Sequence, residues 1–211
     1  MQFDSFHPVC ISLLNDRPSR LSNPFFYLTL RKSTTLNLKS GKNMDPKVSI
    51  IMGSTSDLPV MEKAAKVLND FCIPFEINAL SAHRTPAEVE SFATNAQQRG
   101  IEVIIAGAGM AAHLPGVIAA MTPIPVIGVP INASLDGMDA LLAIAQMPPG
   151  IPVATTAING AMNAGILAAQ ILAVGDSTLK AKIVDFKASL KKKIVDANQE
   201  LAKVKYDYKT N

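Results

Sequence analysis

Two short polar segments of the sequence combine residue types that bind anions and move protons. One is residues 53–57, Gly-Ser-Thr-Ser-Asp, and the other is residues 81–86, Ser-Ala-His-Arg-Thr-Pro. Each follows an apolar run typical of a strand and precedes a stretch typical of a helix. Loops at the carboxyl ends of neighbouring strands in an open parallel sheet converge on one crevice, so we expect both segments to face a common ligand. The pattern therefore predicts an anion-binding catalytic site.

The first segment offers hydroxyl groups and backbone amides close to a helix start. Gly53 permits a tight exit from the strand, and Ser54 and Ser56 supply donors where the helix dipole favours a phosphate or a carboxylate. Asp57 repels an anion, and it fits either as an acceptor for sugar hydroxyls or as a helix N-cap. Simple capping by the serines and the aspartate is the competing interpretation. The segment lacks the Gly-Lys-Ser/Thr ending of a nucleoside triphosphate loop.

The second segment places a histidine beside an arginine at the end of a predicted strand. His83 is one of three histidines in the chain, and Arg84 is one of two arginines after residue 44. Arginine is suited to bidentate phosphate contact, and an imidazole can exchange protons near pH 7. With Ser81 as a further donor, the segment predicts that His83 transfers a proton. The alternative is a structural loop histidine.

A third segment, residues 107–116, is small, apolar and without Asp, Glu, Lys or Arg. Gly107 and Gly109 would let the backbone approach a ligand closely, and the alanines around them, such as Ala108, would leave room for a compact uncharged group. The alternative is a tight turn needed only for packing. We expect His113, in the same segment, to be an interior hydrogen-bonding residue rather than a second base.

Apolar runs alternate with amphipathic stretches from residue 47 onward, which predicts a parallel sheet covered by helices on both faces. The expected fold is a three-layer α/β domain, flavodoxin-like in general shape. The predicted strands are 48–52, 74–80, 103–106, 126–129 and 152–155, and the predicted helices are 57–71, 86–100, 113–121, 136–146 and 159–174. A charged amphipathic helix, 179–204, follows, and its apolar stripe is expected to pack on a neighbouring subunit.

Charge is distributed unevenly along the 211 residues. Residues 1–46 carry six basic and three acidic residues and account for the whole net charge of +3, so the rest of the chain gives little support for a nucleic-acid partner. Residues 103–175 contain no lysine or arginine, and prolines and glycines interrupt every window long enough to span a membrane. Burial of this apolar region between copies of the chain is therefore favoured over a membrane-embedded segment.

The sequence divides into three parts. Residues 1–44 lack a periodic apolar pattern and are expected to be an unstructured N-terminal extension, with an organellar presequence as the alternative. Residues 45–176 are predicted to form the catalytic domain and residues 177–211 the C-terminal helix. Cys10 and Cys72 are too few for a metal knuckle or a disulfide framework, which favours a reducing, cytoplasmic setting.

Four ordered motifs resemble the signature loops of the N5-carboxyaminoimidazole ribonucleotide mutase family, the catalytic subunit type of phosphoribosylaminoimidazole carboxylase. They are the two polar segments, residues 106–116 and residues 146–153, Gln-Met-Pro-Pro-Gly-Ile-Pro-Val. The resemblance covers residues 47–203 and implies an enzyme of de novo purine synthesis that moves a carboxylate from the exocyclic nitrogen of aminoimidazole ribonucleotide to ring carbon C4. It implies no cofactor and no metal, a homo-octamer of flavodoxin-like subunits, and a separate ATP-dependent synthetase that forms the carbamate.

The resemblance also implies which residues form the site. His83 would transfer the proton, and the substrate-binding residues would be Ser54, Ser56, Asp57, Ser81, Arg84, Gly107, Ala108, Gly109 and Leu114. We expect Arg84 and two serines, Ser56 and Ser81, to hold the 5′-phosphate and Asp57 the ribose hydroxyls. The glycine-rich wall would retain released carbon dioxide by excluding water.

One position departs from the family pattern, and it bears on the reaction. Met110 stands where the family often carries a second glycine. Related enzymes that use free carbon dioxide directly have a polar Arg, Ser or Asn segment in this loop, whereas residues 111–114, Ala-Ala-His-Leu, resemble the mutase version. Two alternatives stay open: direct carboxylation of aminoimidazole ribonucleotide by carbon dioxide, and a non-catalytic nucleotide-binding module of flavodoxin shape.

Overall fold

Five apolar segments form one parallel sheet in the computed structural model, which describes residues 44–211. The strands are β1 (Val48–Met52), β2 (Phe75–Ala79), β3 (Val103–Gly109), β4 (Val126–Ile131) and β5 (Ala154–Thr155). Their order across the sheet is β2-β1-β3-β4-β5. This is the flavodoxin-like order, and its topological switch point lies between β1 and β3. The predicted fold class is therefore confirmed.

Helices cover both faces of the sheet. They are α1 (Leu58–Asp70), α2 (Pro86–Asn95), α3 (Leu114–Met121), α4 (Met138–Ala145), α5 (Ala161–Leu172) and α6 (Ser177–Ala202). One hydrophobic core packs α1, α5 and the start of α6 against one face, and a second core packs α2, α3 and α4 against the other. Because successive side chains of a strand point to opposite faces, Ile50 of β1 enters the first core and Ile51 the second.

The ends of two elements differ from the prediction. Strand β3 runs three residues further than expected, so Gly107, Ala108 and Gly109 are strand residues paired with β4 rather than loop residues. Regular helix α2 ends at Asn95 instead of Gly100. Gly100 nevertheless closes the following turns, because its left-handed backbone (φ +83°) allows the Ile101 amide to bond the Ala96 carbonyl at 3.1 Å.

Helix α4 begins two residues later than predicted, at Met138. The three residues before it, Leu135, Asp136 and Gly137, all have positive φ (43°, 53° and 81°) and form a separate turn. Left-handed backbone is unfavourable for residues with a Cβ, so this turn after β4 is strained. Strand β5 is also shorter than predicted, at two residues.

The C-terminal helix α6 is anchored at its start and exposed at its end. The Asp176 carboxylate caps it by accepting from the amides of Thr178 and Leu179, both at 2.9 Å. Leu179 and Ile183 are buried, whereas the later apolar side chains Leu190, Ile194 and Leu201 are 46%, 65% and 60% exposed. The packing of this stripe on a neighbouring subunit stays a prediction.

Residues Asp45–Asn211 form one compact unit. The predictions for the N-terminal extension concern residues that, apart from Met44, lie outside the described part of the chain. Within residues 44–211, every helix is too short or too polar to cross a bilayer.

Candidate active site

Arg84 joins the loop after β1 to the loop after β2. Its Nη2 donates to the carbonyl oxygen of Gly53 at 2.8 Å, and its Nε donates to Oγ of Ser81 at 3.3 Å. The pairing of β1 with β2 explains this link, because Met52 and Ala79 are in register and the two loops leave the sheet side by side. The structure therefore brings the two polar segments together at the carboxyl edge of the sheet.

The loop after β1 is a single 3-10 turn followed directly by α1. Ser54 caps this turn: its Oγ accepts from the Ser56 amide at 3.3 Å and from the Ser56 hydroxyl at 2.9 Å. Asp57 occupies the N-cap position of α1, but its side chain makes no capping hydrogen bond. Capping thus accounts for Ser54 and leaves the carboxylate of Asp57 available to a ligand.

The electrostatics of Asp57 reflect its half-buried position. Loss of solvent on burial raises the pKa of this carboxyl above its ordinary value of 3.8. Hydrogen bonds from the Ser54 backbone and the Ser56 side chain, together with the positive charge of Arg84, oppose that rise. The site therefore contains one carboxylate whose charge is incompletely stabilised before a ligand binds.

The loop after β2 is held by Thr85. Its Oγ1 accepts from the Ser81 amide at 2.8 Å and donates to the Ser81 carbonyl at 3.1 Å. Thr85 occupies the N-cap position of α2, but its hydroxyl closes this loop instead of capping the helix. This closure fixes the backbone that carries His83 and Arg84.

His83 contacts a second histidine from a different loop. Its Nε2 lies 2.8 Å from Nδ1 of His113, and the two rings meet edge to face, with centroids 4.9 Å apart and planes at 83°. The prediction that His113 makes a hydrogen bond is confirmed, and the prediction that it is interior is wrong, because His113 is exposed at the start of α3. The sequence offers no signal for a contact between residues 30 positions apart.

The glycines of β3 have packing roles. A Cβ at Gly107 would lie 2.5 Å from Sδ of Met61, and one at Gly109 would lie 2.9 Å from Cβ of Ala133. Gly107, Ala108 and Leu114 are buried, so they form the wall behind the site rather than its open surface. Gly109 is half-buried at the end of the strand.

Met110 follows β3 and is 60% exposed. Its backbone is left-handed, with φ 55°. Glycine would adopt this conformation without steric cost, whereas the Cβ of methionine makes it strained. The methionine side chain points away from the core, so it does not fill the interior of the sheet.

A polar loop after β4, which was not predicted from the sequence, lies at the same edge. The Asn132 amide donates to Oδ1 of Asn159 at 3.0 Å, linking this loop to the one after β5. The Ser134 hydroxyl donates to the carboxylate of Asp139 and holds the pKa of that group below its ordinary value. The available signal was the group Asn132, Ser134 and Asp136, which begins three residues after the predicted strand 126–129.

The opposite edge of the sheet has a different character. A cavity of about 360 Å³ lies there, beside the amino ends of the strands, and its lining includes Lys47, Pro74, Glu102 and Lys182. Lys182 Nζ donates to the Phe71 carbonyl at 3.1 Å. Among residues 44–211, no group of three or more His, Cys, Asp or Glu side chains is placed to hold a metal ion.

Most of the described chain matches a known protein family. The family described as AIR carboxylase matches residues 47–193. The chain belongs to the AIR carboxylase family. The resemblance drawn from the four motifs is thereby confirmed for the part of the chain that contains the site.

Members of the AIR carboxylase family with similar sequences carry two names. The N5-carboxyaminoimidazole ribonucleotide mutase of Thermotoga maritima is 54% identical over 162 residues, which are 76% of this chain and 95% of that protein. The mutase of Pyrococcus abyssi is 59% identical over 148 residues, 70% of this chain and 85% of that protein. The phosphoribosylaminoimidazole carboxylase of Saccharomyces cerevisiae is 48% identical over 188 residues, 86% of this chain but 33% of that protein.

A solved structure shares the fold. The crystal structure of Treponema denticola PurE aligns with a TM-score of 0.66 and 29% identity, covering 74% of this chain and 98% of that chain.

Proposed function

We propose that this member of the AIR carboxylase family is an N5-carboxyaminoimidazole ribonucleotide mutase of purine biosynthesis. The observation that carries the proposal is the convergence of His83, Arg84 and the loop after β1 at the carboxyl edge of the sheet, beside the switch point. The names of the T. maritima and P. abyssi relatives support the same activity.

Arg84 is suited to hold the 5′-phosphate of the nucleotide. Its bonds to Gly53 and Ser81 use Nη2 and Nε, so the guanidinium is fixed before substrate arrives. Within the described chain its Nη1 has no hydrogen-bond partner, which leaves a donor for the phosphate. Fixing the arginine in advance reduces the entropy lost on binding and aligns the reacting ring.

Asp57 is suited to accept hydrogen bonds from the ribose hydroxyls. Its carboxylate is half-buried and is not used as a helix cap. Two hydroxyl donors would stabilise a charge that burial has made less favourable. The phosphate and the ribose would then be held by two linked loops.

His83 is the group that would move the proton. In the reaction, the carbamate C–N bond breaks, and the exocyclic nitrogen takes a proton as carbon dioxide leaves. The released carbon dioxide then forms a bond to C4, and C4 gives up its hydrogen as a proton. One imidazole that donates to the nitrogen and accepts from C4 returns to its starting state, so no metal, cofactor or ATP is needed to balance this step.

The loop after β3 would hold the released carbon dioxide. Residues 107–112 carry no polar side chain, so water has few partners along this wall. This wall is backed by three buried residues, Gly107, Ala108 and Leu114, and half-buried Gly109 lies at its margin. Excluding water keeps the carbon dioxide near C4 long enough to react.

We also propose a homo-octameric assembly and a synthetase partner. A homo-octamer would cover exposed parts of region 103–175, which has no lysine or arginine, and the exposed apolar stripe of α6. The S. cerevisiae carboxylase is about three times as long as the matched region, which supports functional coupling to an ATP-dependent synthetase that supplies the carbamate. We also propose a cytoplasmic location. The charge distribution gives little support for a nucleic-acid partner, and prolines and glycines interrupt the apolar region that could otherwise enter a membrane.

The test is to incubate the pure protein separately with the carbamate nucleotide and with aminoimidazole ribonucleotide plus bicarbonate. Ultraviolet absorbance of the 4-carboxylated product reports both reactions. We expect rapid product formation from the carbamate and little from bicarbonate. Faster product formation from the decarboxylated nucleotide would establish the direct carboxylase instead, and binding without turnover of either compound would establish a non-catalytic module.

A further inference from the structure

We infer that Thr85 is a positioning residue that fixes His83 and Arg84 in place before the substrate binds. The inference rests on the proposed function, because these two residues would carry the proton and hold the phosphate in that reaction. It starts from the Thr85 hydroxyl, which bonds both backbone groups of Ser81. The hydroxyl accepts from the Ser81 amide at 2.8 Å and donates to the Ser81 carbonyl at 3.1 Å.

Helix capping does not explain this hydroxyl. A threonine at the start of a helix ordinarily accepts from an amide of the first turn, and Thr85 makes no such bond to α2. Helix α2 begins with Pro86, which has no amide hydrogen to be satisfied. Both hydrogen bonds of the half-buried Thr85 side chain go to the loop before the helix.

The loop that carries the two functional side chains is closed by three hydrogen bonds. In addition to the bonds of its hydroxyl, Thr85 donates its amide to the Ser81 carbonyl at 2.8 Å. His83 and Arg84 lie inside this closed loop, residues 81–85. Because the loop is ordered on folding, little of its conformational entropy is left to lose when the substrate binds.

Ser81 extends this order to the guanidinium of Arg84. The Oγ of Ser81 accepts from the Arg84 amide and from Nε of Arg84, both at 3.3 Å. This acceptor is held in place because the amide and the carbonyl of Ser81 are both bonded to Thr85. The same guanidinium reaches the Gly53 carbonyl through Nη2 at 2.8 Å. Thr85 therefore acts on the phosphate ligand through Ser81.

The closed loop is attached to the sheet at one end and to α2 at the other. The Leu80 amide donates to the Met52 carbonyl of β1 at 3.0 Å, and the Thr85 carbonyl accepts from the Val89 amide of α2 at 3.1 Å. His83 is exposed in the middle of the loop, so its position depends on the backbone that carries it. The Thr85 hydroxyl is the side-chain group that joins the two attached ends.

Hydrogen–deuterium exchange followed by mass spectrometry tests the closed loop without a reaction. The amides of Ser81, Arg84 and Thr85 all donate hydrogen bonds, so peptides spanning residues 78–86 should exchange slowly in the substrate-free wild-type protein. Thr85→Val keeps the shape of the side chain and removes its hydroxyl, and it should make these peptides exchange about 10-fold faster. Fast exchange in the wild-type protein, or unchanged exchange in the variant, overturns the inference.

Kinetics at a temperature well below unfolding test the consequence. Thr85→Val should lower kcat/KM by about 10- to 100-fold, through both a lower kcat and a higher KM, because the proton carrier and the phosphate ligand are displaced together. Thr85→Ser keeps the hydroxyl and should recover most of the loss. Thr94→Val is the matched control and should keep wild-type kinetics, because the Thr94 hydroxyl donates to the Glu90 carbonyl at 2.8 Å near the other end of α2.

Thermal unfolding separates positioning from simple stabilisation. A stabilising role alone would lower the Tm of Thr85→Val and leave kcat and KM of the folded variant at wild-type values. That result, or a kinetic loss that Thr85→Ser does not recover, contradicts the positioning role. If Thr85→Val does not fold, Thr85→Ala takes its place in all three measurements.

The two proposals fail in different ways. If wild-type protein does not convert the carbamate nucleotide, the proposed function is wrong, and the exchange experiment still decides whether the Thr85 hydroxyl holds the loop closed. If wild-type protein is active and Thr85→Val keeps wild-type kcat and KM, the positioning role alone is wrong.

Discussion

Three loops meet at one edge of the sheet, and they differ in composition. The loops after β1 and β2 are polar, whereas the loop after β3 is apolar. The first two carry hydroxyls, a carboxylate and a guanidinium, and hydrogen bonds from Arg84 tie them together. The end of β3 and the loop after it have no charged side chain. Gly107 and Gly109 of this strand lie where neighbouring side chains leave no room for a Cβ. The contact of His83 with His113 connects the two regions.

This difference indicates that the two regions have separate roles. In the proposed reaction, the polar loops would bind the phosphate and the ribose, which do not change. The apolar loop would shape the space where bonds change, and it carries His113, which contacts His83. Variants of the two regions should therefore separate substrate binding, turnover and stability.

Replacing the proton carrier should have the largest effect. His83→Asn keeps a polar side chain of similar reach but cannot exchange a proton near pH 7. We expect kcat to fall by about 10²–10⁴-fold with little loss of substrate binding. Steady-state kinetics with the carbamate nucleotide and calorimetric binding of the product give the two quantities, and wild-type kcat in this variant would exclude His83 as the proton carrier.

Replacing the phosphate ligand should act mainly on binding. Arg84→Met removes a charged donor and the link to Gly53, and it should raise KM by about 10- to 100-fold with a smaller change in kcat. Arg99→Met is the matched control, because Arg99 pairs with Glu76 at 2.8 Å on the outside of the domain. Similar KM values for the two variants would remove Arg84 from the phosphate site.

Filling the wall behind the site should reduce stability. Gly107→Ala forces a Cβ against the fully buried Met61, and the overpacking should cost about 1–3 kcal/mol of unfolding free energy. Gly175→Ala is the control, since nothing lies within 4 Å of a Cβ at that position. Urea unfolding followed by circular dichroism measures both, and equal stability of the two variants would contradict the packing role of Gly107.

The smallest effect concerns the charge of Asp57. Because burial raises its pKa above 3.8, the folded protein binds a proton there more tightly than the unfolded chain does. The ionised carboxylate therefore lowers stability at neutral pH, and this penalty vanishes as the pH falls below the unfolded value. Asp57→Asn should be more stable than wild type at pH 7, with a gap in unfolding free energy that narrows toward pH 4. A gap independent of pH would show that Asp57 is not penalised by burial.

Local patterns predicted the sheet well and the site only in part. Strand β1 has the predicted bounds, because its mostly apolar run lies between the charged Lys47 and the glycine at position 53. Strand β3 was predicted too short, because Gly-Ala-Gly has the composition of a loop, and pairing with β4 decides its length. The contact of His83 with His113 depends on how two loops leave the folded sheet, and neither spacing nor residue type carries that information.

A crystal structure with the product nucleotide bound tests the central claim most directly. The account predicts C4 of the imidazole within about 3–3.5 Å of a His83 ring nitrogen, or joined to it by one water, with the phosphate on Arg84. A nucleotide bound instead in the cavity beside Lys47 and Lys182, at the other edge of the sheet, would contradict it.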